Sequence, residues 1–147
     1  TRQSVPVLDR TKLAPASGLV QGAYALWESA AGMPDIILIG TGSEVAVALE
    51  AGRKLAARGT RVRVVSMPSW ELFEKQPAEA RERVLPSACR RRVVVEAGSS
   101  RGWDRYAGPD GKVIALDRFG ASAPHTVLAE KFGFVAEAVL EIAAALL

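Results

Sequence analysis

Residues 34–70, PDIILIGTGSEVAVALEAGRKLAARGTRVRVVSMPSW, narrow the possible folds more than any other stretch, because they read as one complete strand–helix–strand unit. Ile36–Ile39 is an apolar run behind a proline, the pattern of a strand covered on both faces. Gly40-Thr41-Gly42-Ser43-Glu44 is a tight turn opening a helix, with Thr41 and Glu44 at the spacing of a capping box. Val45, Ala48, Leu49, Gly52 and Leu55 share one face of that helix. A glycine inside a helix is costly, so Gly52 predicts close approach to another backbone. Arg53, Lys54 and Arg58 precede Gly59 and suit the negative end of the helix dipole. Arg61–Ser66 then alternates polar and apolar residues as a second strand. A crossover of this length joins parallel strands, which makes the domain α/β.

The rest of the chain extends this unit. Ala23-Tyr24-Ala25-Leu26-Trp27 reads as an edge strand. Its link to Ile36 is too short for a crossover helix, so it is expected to run antiparallel to its successor. Ser69–Lys75 and Ala78–Leu85 are short helices separated by Pro77, and Arg92–Glu96 and Lys112–Asp117 are further strands. Pro124 suits the first position of a helix reaching Lys131. A last helix starts near Val135, with Val135, Ala138, Val139, Ile142 and Leu146 at helical spacing. The sum is a three-layer α/β/α domain around a five-stranded mixed sheet, four strands parallel and one antiparallel at an edge. Residues 1–17 are polar, proline-containing and aperiodic, which predicts an interdomain linker remnant, with the domain itself at 18–147. The start at Thr1-Arg2-Gln3, without an initiator methionine, adds the expectation of a fragment of a longer polypeptide.

Composition limits the chemistry. With 147 residues the chain can bury one sizeable core, and it carries no apolar stretch long enough to span a bilayer. Cys89 is the lone cysteine, so no intrachain disulfide forms, in keeping with a reducing, cytoplasmic setting. Cys89 itself reads as a half-buried core or loop thiol. Cys89 and His125 lie far apart in sequence and no metal-ligand cluster is visible, so no metal site is expected. The net charge of +3 is spread out apart from Arg90-Arg91-Arg92, which reads as an exposed approach to a strand. A nucleic-acid surface needs a broader basic face with aromatics.

In an open parallel sheet, ligands bind outside the carboxyl ends of the strands. Three loops meet that rule: 40–44, 96–103 and 117–122. The first departs from the dinucleotide fingerprint because Val45 stands where a third glycine is needed, and no Lys-Ser/Thr pair follows to make a phosphate loop. Glu96 and Asp117 are candidates for a carboxylate pair, and Ser43, Ser99 and Ser122 for nucleophiles. His125 begins a helix, where the dipole disfavours its protonated form, and no partner or Gly-x-Ser-x-Gly elbow accompanies it. The more ordinary use of such serines and acids is to cap helices and tie loops. Trp70 and Trp103 are expected to pack over the sheet edges. The residues taken alone assemble no catalytic set.

The order of several motifs adds more. Thr1-Arg2-Gln3, Thr41-Gly42-Ser43-Glu44-Val45, Ser66-Met67-Pro68-Ser69, Val95-Glu96-Ala97-Gly98, Phe119-Gly120-Ala121-Ser122-Ala123-Pro124 and Lys131-Phe132-Gly133-Phe134 follow one another with natural spacing. Together they resemble the C-terminal domain of transketolase, the bacterial and plant-type enzymes most closely. Arg101 departs from the family pattern, in which an apolar or aromatic residue is common at that place. The resemblance implies an intact homodimeric enzyme that moves a two-carbon ketol unit from a ketose phosphate to an aldose phosphate. It implies thiamine diphosphate and a divalent cation, Mg or Ca, held by diphosphate-binding and pyrimidine-binding domains that precede residue 1. One role carries over residue by residue: the arginine of the Ser/Thr-Arg-Gln motif, here Arg2, contacts the substrate phosphate. A guanidinium suits that task because its planar fork donates two hydrogen bonds at once. The expectation is therefore a chain without catalytic, cofactor or metal residues of its own. A free-standing α/β module binding or sensing a small ligand is the alternative that the residues leave open.

Overall fold

A computed structural model describes residues 4–147. Five strands form one sheet: β1 (Tyr24–Glu28), β2 (Ile36–Gly40), β3 (Val62–Ser66), β4 (Arg92–Val95) and β5 (Lys112–Ile114), in the order β1-β3-β2-β4-β5. β2 lies parallel to β3 and β4, and β4 parallel to β5. β1 is antiparallel to β3, with an irregularity between Ala25 and Trp27. The mixed sheet read from the sequence is thus present. β1 does run opposite to β2, but its hydrogen-bonded neighbour is β3, because β3 lies between them.

Every residue of β2 is buried, as expected of a central strand with both faces covered. Its alternation divides the core. Ile36 and Leu38 face α1 (Glu44–Ala56) and the C-terminal helix, here α6 (Ala136–Ala144). Ile37 and Ile39 face the side carrying α2 (Trp70–Glu74), α3 (Ala78–Val84) and α4 (Asp104–Ala107). The remaining helix, α5 (His125–Phe132), buries no residue fully.

Several local expectations need correction. The capping box at Thr41 and Glu44 does not form. Ser43, not Thr41, directly precedes α1, and its backbone is already helical, so no side-chain cap reaches the helix amides. Thr41 instead offers its carbonyl to the Glu44 N–H at 3.1 Å. Gly52 faces side chains rather than backbone: a Cβ there would meet Val64 Cγ2 at 2.9 Å and Val62 Cγ1 at 3.4 Å. The covered face of α6 is Ala136, Val139, Leu140 and Ala143, one residue round from the expected stripe, with Ile142 and Leu146 only at its margin. Arg92 is not a surface charge. Its guanidinium donates to four carbonyls, those of Cys89 (2.9 Å), Pro86 (2.9 Å), Tyr106 (3.0 Å) and Leu85 (3.3 Å). Ahead of β1, Leu13 is buried and Ala14 N–H donates to Leu26 O at 2.9 Å, followed by a short 3-10 turn at Ala16–Gln21.

Candidate functional site

The chain runs from β2 to β3 on one side, then crosses to β4 on the other side of β2. The switch in direction lies between β2 and β4, where ligands bind in sheets of this kind. The loops there are those read from the sequence, and the structure shows what their polar groups do. Glu96 Oε1 accepts the Gly98 N–H at 2.7 Å. Asp117 Oδ1 accepts the Ser100 N–H at 2.9 Å and the Ser99 hydroxyl at 3.1 Å. These bonds, those from Ser100 foremost, hold the Asp117 carboxyl below its ordinary value. The Leu116 N–H donates to Gly98 O at 2.8 Å, so the loops after β4 and β5 are stitched to each other. Glu96 and Asp117 each brace a loop, and no hydrogen bond joins them among the described residues. A general acid–base pair needs carboxylates free to face a substrate; these two are committed to backbone amides.

The nucleophile candidates fare similarly. Ser43 donates its hydroxyl to Glu44 Oε1 at 2.8 Å rather than to His125, and Ser99 donates to Asp117. Ser122 and His125 are exposed. Cys89 is buried deeper than expected, and burial pushes its thiol above the ordinary value, away from the reactive thiolate. Among the described residues no three His, Cys, Asp or Glu side chains gather to hold a metal. Thiamine diphosphate does not fit these loops either. Glu44 already sets a carboxylate in the first turn of α1, where a diphosphate would need amides and cations. Arg2 lies outside the described residues.

Two hollows flank the switch. One, of about 420 Å³, is lined by Thr41, Ser69, Glu96, Ser99 and Arg101 together with Trp70 and Trp103. The other, of about 520 Å³, is an apolar groove between the start of α1, the loops after β4 and β5, and α5. Val47, Leu116, Leu128, Phe132 and Phe134 form its walls, and Val5 and Pro6 lie along it.

Sequence reasoning missed the aromatic cluster behind the first hollow. Trp70 and Trp103 meet edge to face at 4.8 Å, and Tyr106 joins both at 5.8 Å, on one face of the sheet rather than over its edges. The Tyr106 hydroxyl donates to Glu74 Oε1 at 2.9 Å, while Arg81 Nη1 holds the other oxygen at 2.8 Å. Burial, and then the Glu74 carboxylate, push the Tyr106 phenol up to about 12. No local pattern announces a pair from α2 and α4; the aromatics around Asp104 were the available hint.

Comparison with known proteins agrees with the fold. Residues 22–135 match the family model of the transketolase-like C-terminal domain. A transketolase from Geobacillus stearothermophilus is 45% identical over 147 residues, all of this chain and 22% of that protein. One from Aquifex aeolicus is 49% identical over 139 residues, 95% of this chain and 20% of that protein. A solved transketolase structure from Pichia stipitis superimposes with a TM-score of 0.85 at 34% identity, covering 98% of this chain and 20% of the other. The chain spans about a fifth of the length of these relatives. With the five-stranded mixed sheet, its flanking helices and the ordered motifs all in place, the chain belongs to the transketolase family, as its C-terminal domain.

Proposed function

We propose that this domain works inside a longer polypeptide that transfers a two-carbon ketol unit between sugar phosphates, and that it performs no chemistry alone. The family match across residues 22–135 carries this reading. Three solved structures of the Pichia stipitis relative are described as complexes with xylulose, sedoheptulose and fructose phosphates, which supports a phosphorylated sugar as substrate. In this reading thiamine diphosphate and a divalent cation belong to preceding domains, the working form is a homodimer, and the setting is cytoplasmic. When bound, the thiamine group supplies the carbanion chemistry. Residues 1–17 join the domain to what precedes it, their inner part held down at Leu13 and Ala14.

The residue with a direct role is Arg2, which grips the substrate phosphate. Arg2→Ala in the whole enzyme removes a charge-assisted contact, worth on the order of 1.5–3 kcal/mol. Catalytic efficiency with a sugar phosphate should fall roughly ten- to a hundred-fold, mostly through KM, and barely change with the unphosphorylated sugar. Equal losses on both substrates would mean that Arg2 positions the domain instead of reading the phosphate.

A further inference from the structure

Among the described residues, the chain before Pro15 forms no helix or strand, yet it is pinned to the domain at several points. Leu13 is buried in the core shared with α1 and α6, and Leu8 packs half-buried against the same cluster. The Ala14 N–H donates to Leu26 O of β1 at 2.9 Å. Arg10 Nη1 donates to Ala14 O at 2.9 Å and to the Tyr24 hydroxyl at 3.3 Å. Between the two leucines the chain turns. Asp9 Oδ1 accepts the Thr11 N–H at 3.0 Å and the Thr11 hydroxyl at 2.6 Å, and the Lys12 N–H donates to Asp9 O at 3.2 Å. An aspartate bonded to the backbone two residues on makes such a turn from local groups alone. Upstream of Leu8, Ser4, Val5 and Pro6 line the apolar groove walled by Val47, Leu128 and Phe134. Pro6 fixes its own φ and biases Val5 toward extended backbone, which stiffens this stretch.

We propose that residues 4–14 are a strap that sets the position of Arg2 from its C-terminal side, with Leu8 and Leu13 as the anchors. The inference rests on the phosphate-reading role proposed above for Arg2. Two peptide units separate Arg2 from Ser4, a reach of about 7 Å, so a seated Ser4 leaves the arginine little room to wander. A guanidinium grips a phosphate through a planar fork, and its direction matters as much as its charge. A segment already ordered on the domain also spares the substrate complex the entropy of ordering it. Leu8 and Leu13 touch no substrate in this arrangement; they are positioning residues that act through Arg2.

The test uses the full-length polypeptide with a sugar phosphate and its unphosphorylated counterpart. Two glycines inserted between Gln3 and Ser4 leave Arg2 joined to what precedes it and detach it from the strap. Leu8→Ala loosens the strap itself, and Leu8→Met, of similar volume, should behave as the parent does. The insertion should raise KM for the sugar phosphate about tenfold and Leu8→Ala about threefold, with kcat and the unphosphorylated sugar unaffected. Arg2→Ala is measured beside them, and Leu8→Ala added to it should cause no further loss on the phosphorylated substrate. An unchanged KM in the insertion variant would overturn the proposal, because Arg2 would then be held from the preceding side. Equal losses on both sugars would overturn it too, since the segment would then only seat the domain. The insertion lies outside the packed residues, so it decides the matter even where Leu8→Ala unfolds the domain. Should Arg2→Ala leave the preference for the phosphorylated sugar intact, the functional reading fails. Should Arg2→Ala abolish that preference while the insertion preserves it, only the strap fails.

Discussion

At Gly22 the packing admits a hydrogen atom and nothing larger. Its φ is +82°, and a Cβ would stand 2.2 Å from Phe73 N and 2.4 Å from Ser69 O, where the turn before β1 meets the start of α2. Gly59 shares the unusual dihedral, with φ +90°, but a Cβ there meets nothing within 4 Å. The pair separates two costs that a sequence cannot tell apart. Gly59→Ala bears only left-handed strain, about 1 kcal/mol. Gly22→Ala adds a backbone collision and should cost about 3 kcal/mol or more. Urea denaturation of both variants checks this, and similar losses would show that the backbone at Gly22 relaxes freely. Gly59 was legible from sequence because it ends a periodic helix. Gly22 was not, because its constraint comes from residues some fifty positions further on.

Elements built from local pattern came through well. The unbroken apolar run of β2 and the stripe of α1 announce burial directly, and both are found as read. Elements set by distant partners did not. The four residues of α4 are too few for a period to show, and the neighbour of β1 is chosen by sheet order, which the short link to β2 does not encode. The candidate site divides the same way. Its loops were legible from strand ends, but the commitment of Glu96 and Asp117 to amides was not. Arg2 rests on family resemblance alone. The bond from Tyr106 of α4 to Glu74 of α2 is equally hidden, and it carries a pH signature. A phenol whose folded pKa is raised contributes stability that is whole below its unfolded value near 10 and is lost as pH climbs from there through about 12. Phenolate absorbance should show one tyrosine ionising late, near 12. Glu74→Gln should bring that step to lower pH yet leave it above the ordinary value, because burial is the larger cause. An unmoved step would remove Glu74 from the explanation.

For the whole molecule, the sheet is the one structure that both halves of the core share. Trp27 packs on the face covered by α1 and α6, and Trp70 and Trp103 on the face covered by α2, α3 and α4. Neither helical layer has a core of its own, because each closes over alternate residues of the same buried strands, such as Ile36 and Leu38 against Ile37 and Ile39. Losing one layer exposes half of β2 to water and removes the reason for β2 to stay paired with β3 and β4. The two faces should therefore melt together. Single-tryptophan variants, one keeping Trp27 and one keeping Trp103, place a reporter in each layer. The variant keeping Trp27 loses large core aromatics from the other face and will melt lower, so the comparison is made within each protein. In each, tryptophan fluorescence and far-ultraviolet circular dichroism should give one sharp transition at the same temperature. A tryptophan signal that moves well before the helical signal in either variant would mean that the layers unfold separately and that the sheet does not couple them.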